Sequence, residues 1–550
     1  MYYKLRTIIC LTLFSAASFA GPVEDRGNHT FETVRVKMGD GVSLSTDVYL
    51  PKDGGKFPVV LIRTPYNKSH PVGKTIGETF TAQGIAMVAQ DCRGRFASEG
   101  EFYAFKDDRK DGLDCLKWIR SQKWFGGKIG GALGSYNSYT QLAVADKLDV
   151  VLEVVSCANM YELIYPGGLY SLETVHNWAF NMDSKKSNGL DPETIKQSYW
   201  TLPLEEASTK AYGKENKFVD DWLTHEKYDD YWRKQDHKKC SNATIFSFAG
   251  WYDIFLMGQI ADFEALDPDV KSKSRLVIGP WAHGQHEIKN DFGGAAAVGE
   301  FEDFSIKLLV AELKGEDSAK LFTAPFKNVR YNLFIMERNE YFPSDVWPPK
   351  EMKATAYYLD PAGALSPDLP VAPSIKEYVY DPADPYPSKG GTVLGTPAGQ
   401  ADQQANESRE DQLVFNLPIG EGPFTLLGPI NARLFVETDA VSTDFFVLLQ
   451  DVFPDGKVVN IQEGGAEYSP GEEKVGRLDF SVWATGYQFN PGHTLRVVVT
   501  SSWFPRFNRN LNMGEPGHSA KEMRKANQRI HFGKDHPSAI ILPVLGGDGF

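Results

Sequence analysis

One short segment, residues 127–141, constrains the fold of this chain most strongly, and it reads GKIGGALGSYNSYTQ. An apolar run over residues 129–133 ends just before Ser135, and helical spacing of apolar residues begins at Tyr139. The pattern predicts a strand, a tight turn and a helix. A serine in such a turn occupies a strained backbone position at the end of a parallel strand, with its hydroxyl exposed. Ser135 is therefore a candidate nucleophile.

The turn departs from the common G-x-S-x-G form. Leu133 stands two residues before the serine and Asn137 two after it, where glycines usually let strand and helix approach closely. Taken alone the segment is a weak signal, because an ordinary polar turn between a strand and a helix has the same composition. The rest of the chain has to support the assignment.

Other apolar runs predict a parallel sheet around this turn. Residues 57–62, 85–89 and 150–155 are short apolar segments, typical of strands buried on both faces. Residues 107–124 show helical spacing between the second run and the serine, and residues 34–50 alternate as an edge hairpin. Strand, helix, strand and turn in this order predict a doubly wound α/β sheet.

The composition changes twice along the chain. Residues 159–242 are rich in aromatic and charged residues and show helical stretches near Ala207 and over 218–231, which predicts an inserted helical cap. Residues 352–397 are rich in Pro, Gly and Asp, which predicts a boundary or an extended crossover. Short alternating segments then predict a β-sandwich of jelly-roll type, at residues 432–437, 444–451, 458–459, 478–483, 494–501 and 540–545.

Two further apolar segments, at residues 244–248 and 275–278, predict late strands of the same sheet. Three reactive side chains follow the ends of predicted sheet strands: Ser135, Asp253 and His283. A serine hydroxyl is a poor nucleophile until an imidazole takes its proton, and a carboxylate holds that imidazole in the right tautomer. Serine, aspartate and histidine in this chain order are typical of α/β-hydrolase triads. His286 is a rival base beyond the strand end, and a structural histidine is the alternative for His283.

An oxyanion hole needs two donors aimed at the developing charge. The backbone N–H of Tyr136 is the first candidate. The phenol of Tyr66, just after a predicted strand, is the second, with packing as its alternative. Three aromatic residues flank the predicted triad and are candidates to line an acyl pocket, with ordinary packing as the alternative: Tyr252, Phe255 and Trp281.

Several short segments carry a family resemblance over nearly the whole chain after residue 20. They are RTPY at 63–66, QDCRGRFASEG at 90–100, GSY at 134–136, GWYD at 250–253 and GPWAH at 279–283, with residues 380–385, 428–430, 443–445, 451–456 and 501–505 in the second half. With these segments the sequence resembles the CocE/NonD hydrolase family. This group includes cocaine esterases, X-Pro dipeptidyl-peptidases, α-amino-acid ester hydrolases and glutaryl-cephalosporin acylases.

The resemblance implies an α/β class fold: an α/β-hydrolase domain over residues 21–158 and 243–348, a helical cap over 159–242 and an all-β jelly roll over 349–550. It also implies a Ser135, Asp253 and His283 triad, with an oxyanion hole formed by the Tyr66 hydroxyl and the Tyr136 N–H. Leu133 and Ser138 stand where the family usually has glycine, and a bulky residue there could distort the turn.

Residues 1–20 differ in kind from the rest. Lys4 and Arg6 precede an apolar segment over 8–14, with small residues up to Ala20, which predicts a signal peptide too short to span a membrane. We expect a freely soluble exported protein, periplasmic or extracellular, with no membrane anchor. A formal net charge of −14 disfavours nucleic acid as a partner. The sequence leaves the oligomeric state open.

No nucleotide-binding fingerprint or clustered set of metal ligands is present in the sequence, so no cofactor or metal is predicted. Four cysteines follow the predicted signal peptide, and their spacings match no zinc pattern: Cys92, Cys115, Cys157 and Cys240. Two interpretations stay open, a disulfide between the first two or four buried free thiols.

The sequence thus predicts an exported serine hydrolase that cleaves an ester or amide through an acyl-enzyme. Its substrate is an acyl ester, an α-amino-acid ester or an X-Pro dipeptidyl compound. Amino-ester and peptidase members need carboxylates to hold the α-amino group, for which the cap offers Glu162, Glu173 and Asp183. A cocaine-esterase-like pocket would be apolar and aromatic. The alternative, motivated by the altered glycines, is a catalytically silent ligand-binding protein.

Overall fold

One eleven-stranded sheet organises the first half of the protein. The computed structural model describes residues 21–182, 189–237, 241–283, 298–395 and 397–546. The strands of this sheet are β1 Glu24–Asp25, β2 His29–Lys37, β3 Ser43–Pro51, β4 Phe57–Thr64, β5 Ala86–Asp91, β6 Phe125–Gly131, β7 Val150–Val154, β8 Thr244–Tyr252, β9 Arg275–Ala282, β10 Tyr331–Ile335 and β11 Glu340–Ser344. Their spatial order is β1-β2-β3-β5-β4-β6-β7-β8-β9-β10-β11, with β4 to β10 parallel and the outer strands antiparallel.

The helices of the first half cover both faces of this sheet or form the cap. In the part of the chain that the structure describes they are α1 Pro71–Ala82, α2 Asp108–Arg120, α3 Tyr136–Leu142, α4 Tyr161–Ile164, α5 Leu172–Met182, α6 Pro192–Ser198, α7 Ala207–Tyr212, α8 Lys217–Thr224, α9 Asp230–Arg233, α10 Leu256–Glu264, α11 Pro268–Lys273 and α12 Val298–Lys314. Within β4, Val59 packs in a core with Leu116 of α2, whereas Val60 packs with Leu309 of α12 on the opposite face. Successive side chains of a strand point to opposite faces, so a strand covered on both sides is apolar throughout.

The cap consists of α4 to α9 and has an aromatic core. Trp222 of α8 and Trp232 of α9 are fully buried there with Leu172 and Phe180 of α5. The predicted helical stretches correspond to α7, α8 and α9. Helix α5 was not identified from the sequence, although it faces the candidate nucleophile.

The second half is a sandwich of two antiparallel sheets. Its strands are β12 Met352–Leu359, β13 Leu365–Ser366, β14 Ser374–Tyr380, β15 Gln412–Pro418, β16 Phe424–Thr438, β17 Thr443–Val452, β18 Val458–Tyr468, β19 Gly476–Phe489, β20 Thr494–Thr500, β21 Ala526–Phe532 and β22 Ala539–Leu545. One sheet has the order β13-β12-β22-β16-β21-β14 with β19 joined to β16, and the other has the order β15-β20-β17-β18. With this sandwich the protein has the predicted fold class.

The sequence prediction missed strands β13, β15 and β21, and two further details of the sandwich differ from it. The interpretation of residues 352–397 as a boundary or crossover is wrong for its first part, because β12 pairs with β22 and β14 with β21. Strand β18 does not end at Val459 but continues through Gly464, where a Cβ atom would lie 2.2 Å from the Ser481 carbonyl oxygen. Glycine usually weakens a strand, but it is required at position 464 because β18 and β19 approach so closely there.

The two halves share one hydrophobic core. Trp251 of β8 is fully buried and its indole N–H donates to the Phe334 carbonyl, 2.7 Å away. Met336, just after β10, donates its backbone N–H to Gly486 of β19 at 2.9 Å. The same core continues into the sandwich through Tyr487 and Phe489. The sandwich therefore packs against the carboxyl ends of β8 and β10.

The cysteines that the structure describes are free thiols. Cys92, Cys115 and Cys157 are buried and unpaired with one another, so the predicted alternative of a Cys92–Cys115 disulfide is wrong, and burial raises the pKa of each thiol. Cys240 and the predicted signal peptide lie outside the described residues. Among the described helices, none is both long and apolar enough to cross a membrane.

Candidate active site

The turn between β6 and α3 holds Ser135 in a strained conformation. Its φ and ψ are 60° and −134°, and Leu133 also has a positive φ of 76°. L-residues other than glycine rarely adopt these values. The turn is tied to the neighbouring strand β7, because the Ser135 N–H donates to the Val154 carbonyl at 2.9 Å. Ser135 consequently stands just beyond the carboxyl end of β6.

A continuous chain of hydrogen bonds joins the three predicted triad residues. His283 Nε2 lies 3.1 Å from Ser135 Oγ, and His283 Nδ1 lies 2.9 Å from Asp253 Oδ2. Asp253 is fully buried, and its other oxygen accepts the Phe255 N–H at 2.8 Å. When Nδ1–H donates its hydrogen bond to the Asp253 carboxylate, the imidazole is held in the tautomer whose Nε2 can accept the serine proton. The rival base His286 lies outside the described residues.

Tyr66 and Tyr136 meet beside the serine. Their rings lie edge to face, with centroids 6.5 Å apart. Burial raises the pKa of the Tyr66 hydroxyl, while three groups that face its oxygen lower it: the Trp178 indole N–H, the Ser135 hydroxyl and the Tyr136 backbone N–H. Tyr66, Ser135 and Tyr136 line the same cavity, so the phenol and the backbone N–H are the candidate donors for an oxyanion formed beside Ser135.

An apolar cavity opens on this serine. Among the described residues its walls are largely aromatic and aliphatic: Tyr66, Phe105, Ser135, Tyr136, Met160, Leu163, Ile164, Thr174, Val175, Trp178, Trp222, Ile254, Phe255, His283 and Leu394. The structure places Phe255 in the wall of this cavity, with its ring 5.4 Å from that of His283. No carboxylate side chain is among these lining residues.

The other two predicted pocket residues lie elsewhere. Tyr252 is fully buried in the core shared with the sandwich, with its hydroxyl 3.5 Å from the Asn460 carbonyl. Trp281 packs in the core beneath the sheet, against the backbone of Gly279. Alternate residues of a strand point to opposite sides, so nearness to the triad in sequence does not place a side chain in the pocket. Ordinary packing is the observed role.

Most of the described pocket wall was not identified from the sequence, including the parts that the cap and the sandwich supply. Helix α5 of the cap contributes Val175 and Trp178, and the loop before β15 of the sandwich contributes Leu394. Glu173, at the start of α5, holds this loop in place: its carboxylate accepts the N–H groups of Leu394 at 3.0 Å and Gly395 at 2.7 Å. The 3.6-residue spacing of apolar positions in α5 is visible in the sequence, but the contact with the sandwich loop is not.

The candidate carboxylates for an α-amino group are placed as follows. Glu173 is buried, and its carboxylate already accepts hydrogen bonds from the loop amides and from Asn177 Nδ2, which lies 2.6 Å away. Glu162 is half-buried within helix α4 but is not among the lining residues. Asp183 lies outside the described residues. Within the described ranges, no group of three His, Cys, Asp or Glu side chains is arranged to hold a metal ion.

Ser138, one of the two residues that stand where the family usually has glycine, forms hydrogen bonds within the turn. Its side chain is fully buried, and Ser138 Oγ lies 2.6 Å from the Leu133 carbonyl, to which it donates. The same oxygen accepts the Val154 N–H at 3.0 Å. This hydroxyl joins the strained end of β6 to β7. The turn therefore forms with Leu133 and Ser138 in place.

A doubly wound sheet with a hydrogen-bonded serine, histidine and aspartate at its strand ends defines an α/β-hydrolase, a class of serine hydrolases. Residues 40–285 match the family model of the X-Pro dipeptidyl-peptidase (S15 family), and residues 328–541 match that of the X-Pro dipeptidyl-peptidase C-terminal non-catalytic domain. The cocaine esterase of Rhodococcus sp. (strain MB1 Bresler) is 32% identical over 578 residues, 94% of this chain and 99% of that protein. The chain belongs to the CocE/NonD hydrolase family, the group of cocaine esterase and X-Pro dipeptidyl-peptidase.

Two solved structures show the same fold. An aminopeptidase from the marine sediment archaeon Thaumarchaeota archaeon has a TM-score of 0.82 at 24% identity, covering 94% of this chain and 97% of that one. An α-amino acid ester hydrolase has a TM-score of 0.82 at 22% identity, covering 98% of this chain and 100% of that one. These similarities extend over both halves of the chain.

We expect Ser138→Ala to destabilise the protein. The substitution removes the partner of the Leu133 carbonyl and of the Val154 N–H, and an unpaired buried polar group costs about 1–3 kcal/mol. Urea unfolding followed by circular dichroism measures the change. Ser272→Ala is the matched control, because the exposed Ser272 hydroxyl also donates to a carbonyl, that of Asp269, and should change the stability by less than about 0.5 kcal/mol. Equal effects of the two substitutions would contradict the role of Ser138.

Proposed function

We propose that the protein hydrolyses carboxylic esters through an acyl-enzyme on Ser135. The observation that carries this proposal is the hydrogen-bond chain from Ser135 Oγ through His283 to the buried Asp253. The family, whose members include a cocaine esterase and X-Pro dipeptidyl-peptidases, supports the same reaction class.

In the proposed reaction Ser135 Oγ attacks the ester carbonyl while His283 Nε2 takes its proton. The resulting imidazolium is stabilised by the Asp253 carboxylate, 2.9 Å from Nδ1. His283 then returns the proton to the leaving alcohol, which leaves the acyl group on Ser135. A water molecule, deprotonated by the same imidazole, attacks the acyl-enzyme and releases the acid.

The negative charge of each tetrahedral intermediate falls on the former carbonyl oxygen. We assign its two donors as the Tyr66 hydroxyl and the Tyr136 N–H, which face the space beside Ser135. Each such donor contributes about 2.7–4 kcal/mol to transition-state stabilisation in comparable sites. The strain at Ser135 serves this arrangement, because it aims both the hydroxyl and the following N–H at the same carbonyl.

The pocket favours an apolar acyl group. Its described walls carry aromatic and aliphatic side chains and no carboxylate, and Glu173 is already occupied by backbone amides. An α-ammonium group would enter this space without a counter-charge, and burying an unpaired charge is strongly unfavourable. We therefore propose acyl esters, rather than α-amino-acid esters or X-Pro amides, as the substrate class.

Export is proposed from residues 1–20, whose sequence has the pattern of a signal peptide.

The alternative of a catalytically silent binding protein is disfavoured by the turn geometry, since Ser135 Oγ lies 3.1 Å from His283 Nε2 even though Leu133 and Ser138 replace the usual glycines.

Ser135→Ala tests the nucleophile. Since triad residues act as a unit, the substitution should lower kcat for an activated ester by about 10⁶. His283→Ala should produce a loss of similar size. Initial rates with 4-nitrophenyl acetate, on variants whose circular dichroism matches the parent protein, measure both. A Ser135→Ala variant that keeps the parent activity would falsify the proposed function.

A matched pair of esters tests the substrate class. Methyl phenylacetate and phenylglycine methyl ester differ only in the α-amino group. Because the described pocket offers no carboxylate to that group, we expect kcat/KM to be at least about 100-fold higher for methyl phenylacetate. The comparison is made at a pH where the amine is protonated. Equal values, or a preference for phenylglycine methyl ester, would show that a carboxylate does reach the pocket.

A further inference from the structure

The Tyr66 hydroxyl accepts a hydrogen bond from a residue that has no role in the proposed reaction. The indole N–H of Trp178, in cap helix α5, donates to the Tyr66 phenol oxygen at 3.0 Å. The other groups facing this oxygen are the Ser135 hydroxyl and the Tyr136 N–H. These three neighbours determine where the phenol proton can point.

The three neighbours differ in what they can accept. An indole N–H and a backbone N–H are donors only, so neither Trp178 nor Tyr136 can take the phenol proton. Ser135 Oγ is the acceptor among the three. The Tyr66 proton is therefore turned away from both N–H groups and is available to the substrate oxygen once that oxygen carries negative charge.

We propose that Trp178 is a positioning residue of the oxyanion hole, whose indole N–H holds the Tyr66 hydroxyl with its proton directed at the developing oxyanion. The proposal rests on the proposed function, because it assumes that Tyr66 stabilises the intermediate formed on Ser135. It adds a residue of the cap to the catalytic machinery, although Trp178 does not touch the reacting atoms. The cap then does more than cover the pocket.

Stacking fixes the orientation of the indole. The Trp178 ring is parallel to the Tyr136 ring within 10° at a centroid distance of 5.7 Å, and to the Phe105 ring within 12° at 5.7 Å. Trp222 of α8 stacks on it at 6.3 Å and 24°. Since an aromatic ring held on more than one side has little freedom to rotate, the N–H direction toward Tyr66 is set before substrate binds.

A double-mutant cycle of Trp178→Phe and Tyr66→Phe separates positioning from packing. Alone, Trp178→Phe keeps an aromatic ring but loses the N–H, and one neutral hydrogen bond corresponds to about a 3- to 10-fold loss of kcat for 4-nitrophenyl acetate. Tyr66→Phe alone should cost about 10²–10³-fold, as for other oxyanion donors. In the Tyr66→Phe background, Trp178→Phe should lower kcat by less than about 2-fold, because the hydroxyl through which it acts is gone. Any rise of KM from lost packing should be the same in both backgrounds.

Trp222→Phe is the matched control, since Trp222 lies in the same aromatic stack and lines the same pocket but donates no hydrogen bond to Tyr66. Whatever change in kcat it causes should be the same with and without the Tyr66 hydroxyl. Circular dichroism of every variant establishes that it is folded.

The possible results separate this proposal from the proposed function. An equal loss of kcat from Trp178→Phe in both backgrounds would overturn the positioning role and leave the oxyanion assignment intact. No loss from Trp178→Phe alone would overturn it as well. No loss from Tyr66→Phe would overturn both the oxyanion assignment and the role of Trp178, while Ser135→Ala would still report on the nucleophile.

Discussion

The site depends on the strained turn at Ser135. A φ of 60° with a ψ of −134° costs on the order of 1–3 kcal/mol for a non-glycine residue, and it persists because the surrounding contacts enforce it. The Ser135 N–H is held by Val154, and Ser138 connects the end of β6 to β7. The strain presents the hydroxyl to His283 and the next N–H to the oxyanion position.

Three parts of the molecule complete the pocket around this turn. The sheet supplies the triad, cap helix α5 supplies Trp178, and the sandwich supplies Leu394. A buried arginine joins the last two parts: Arg506 donates to the hydroxyls of Thr392 and Ser171, at 3.1 and 2.9 Å. Burial lowers its pKa to about 10, with the carboxylates of Glu463 and Glu173 opposing the shift, so Arg506 stays charged at neutral pH. The sandwich, which contributes no triad residue, thereby sets one wall of the site.

Local sequence signals were sufficient for the central strands of the sheet and for choosing the three candidate triad residues, because each is marked by the residues next to it in the chain, but β10 and β11 were not identified. They were insufficient where the answer depends on contacts between distant segments. Tyr252 and Trp281 flank the triad in sequence, yet strand alternation and the sandwich direct them into cores. Trp178 and Leu394 lie far from the triad in sequence and reach the pocket only through packing of the cap and sandwich. Strands β12 and β14 were obscured by the prolines, glycines and aspartates around them.

The central claim is that Ser135 is an activated nucleophile, and labelling with a fluorophosphonate tests it most directly. Such a reagent phosphonylates only a serine whose proton can be removed, whatever the natural substrate is. Mass spectrometry of the folded protein should show a single adduct on Ser135, absent from the His283→Ala variant. A folded protein that forms no adduct, or forms one on another serine while Ser135 stays unmodified, would contradict the account.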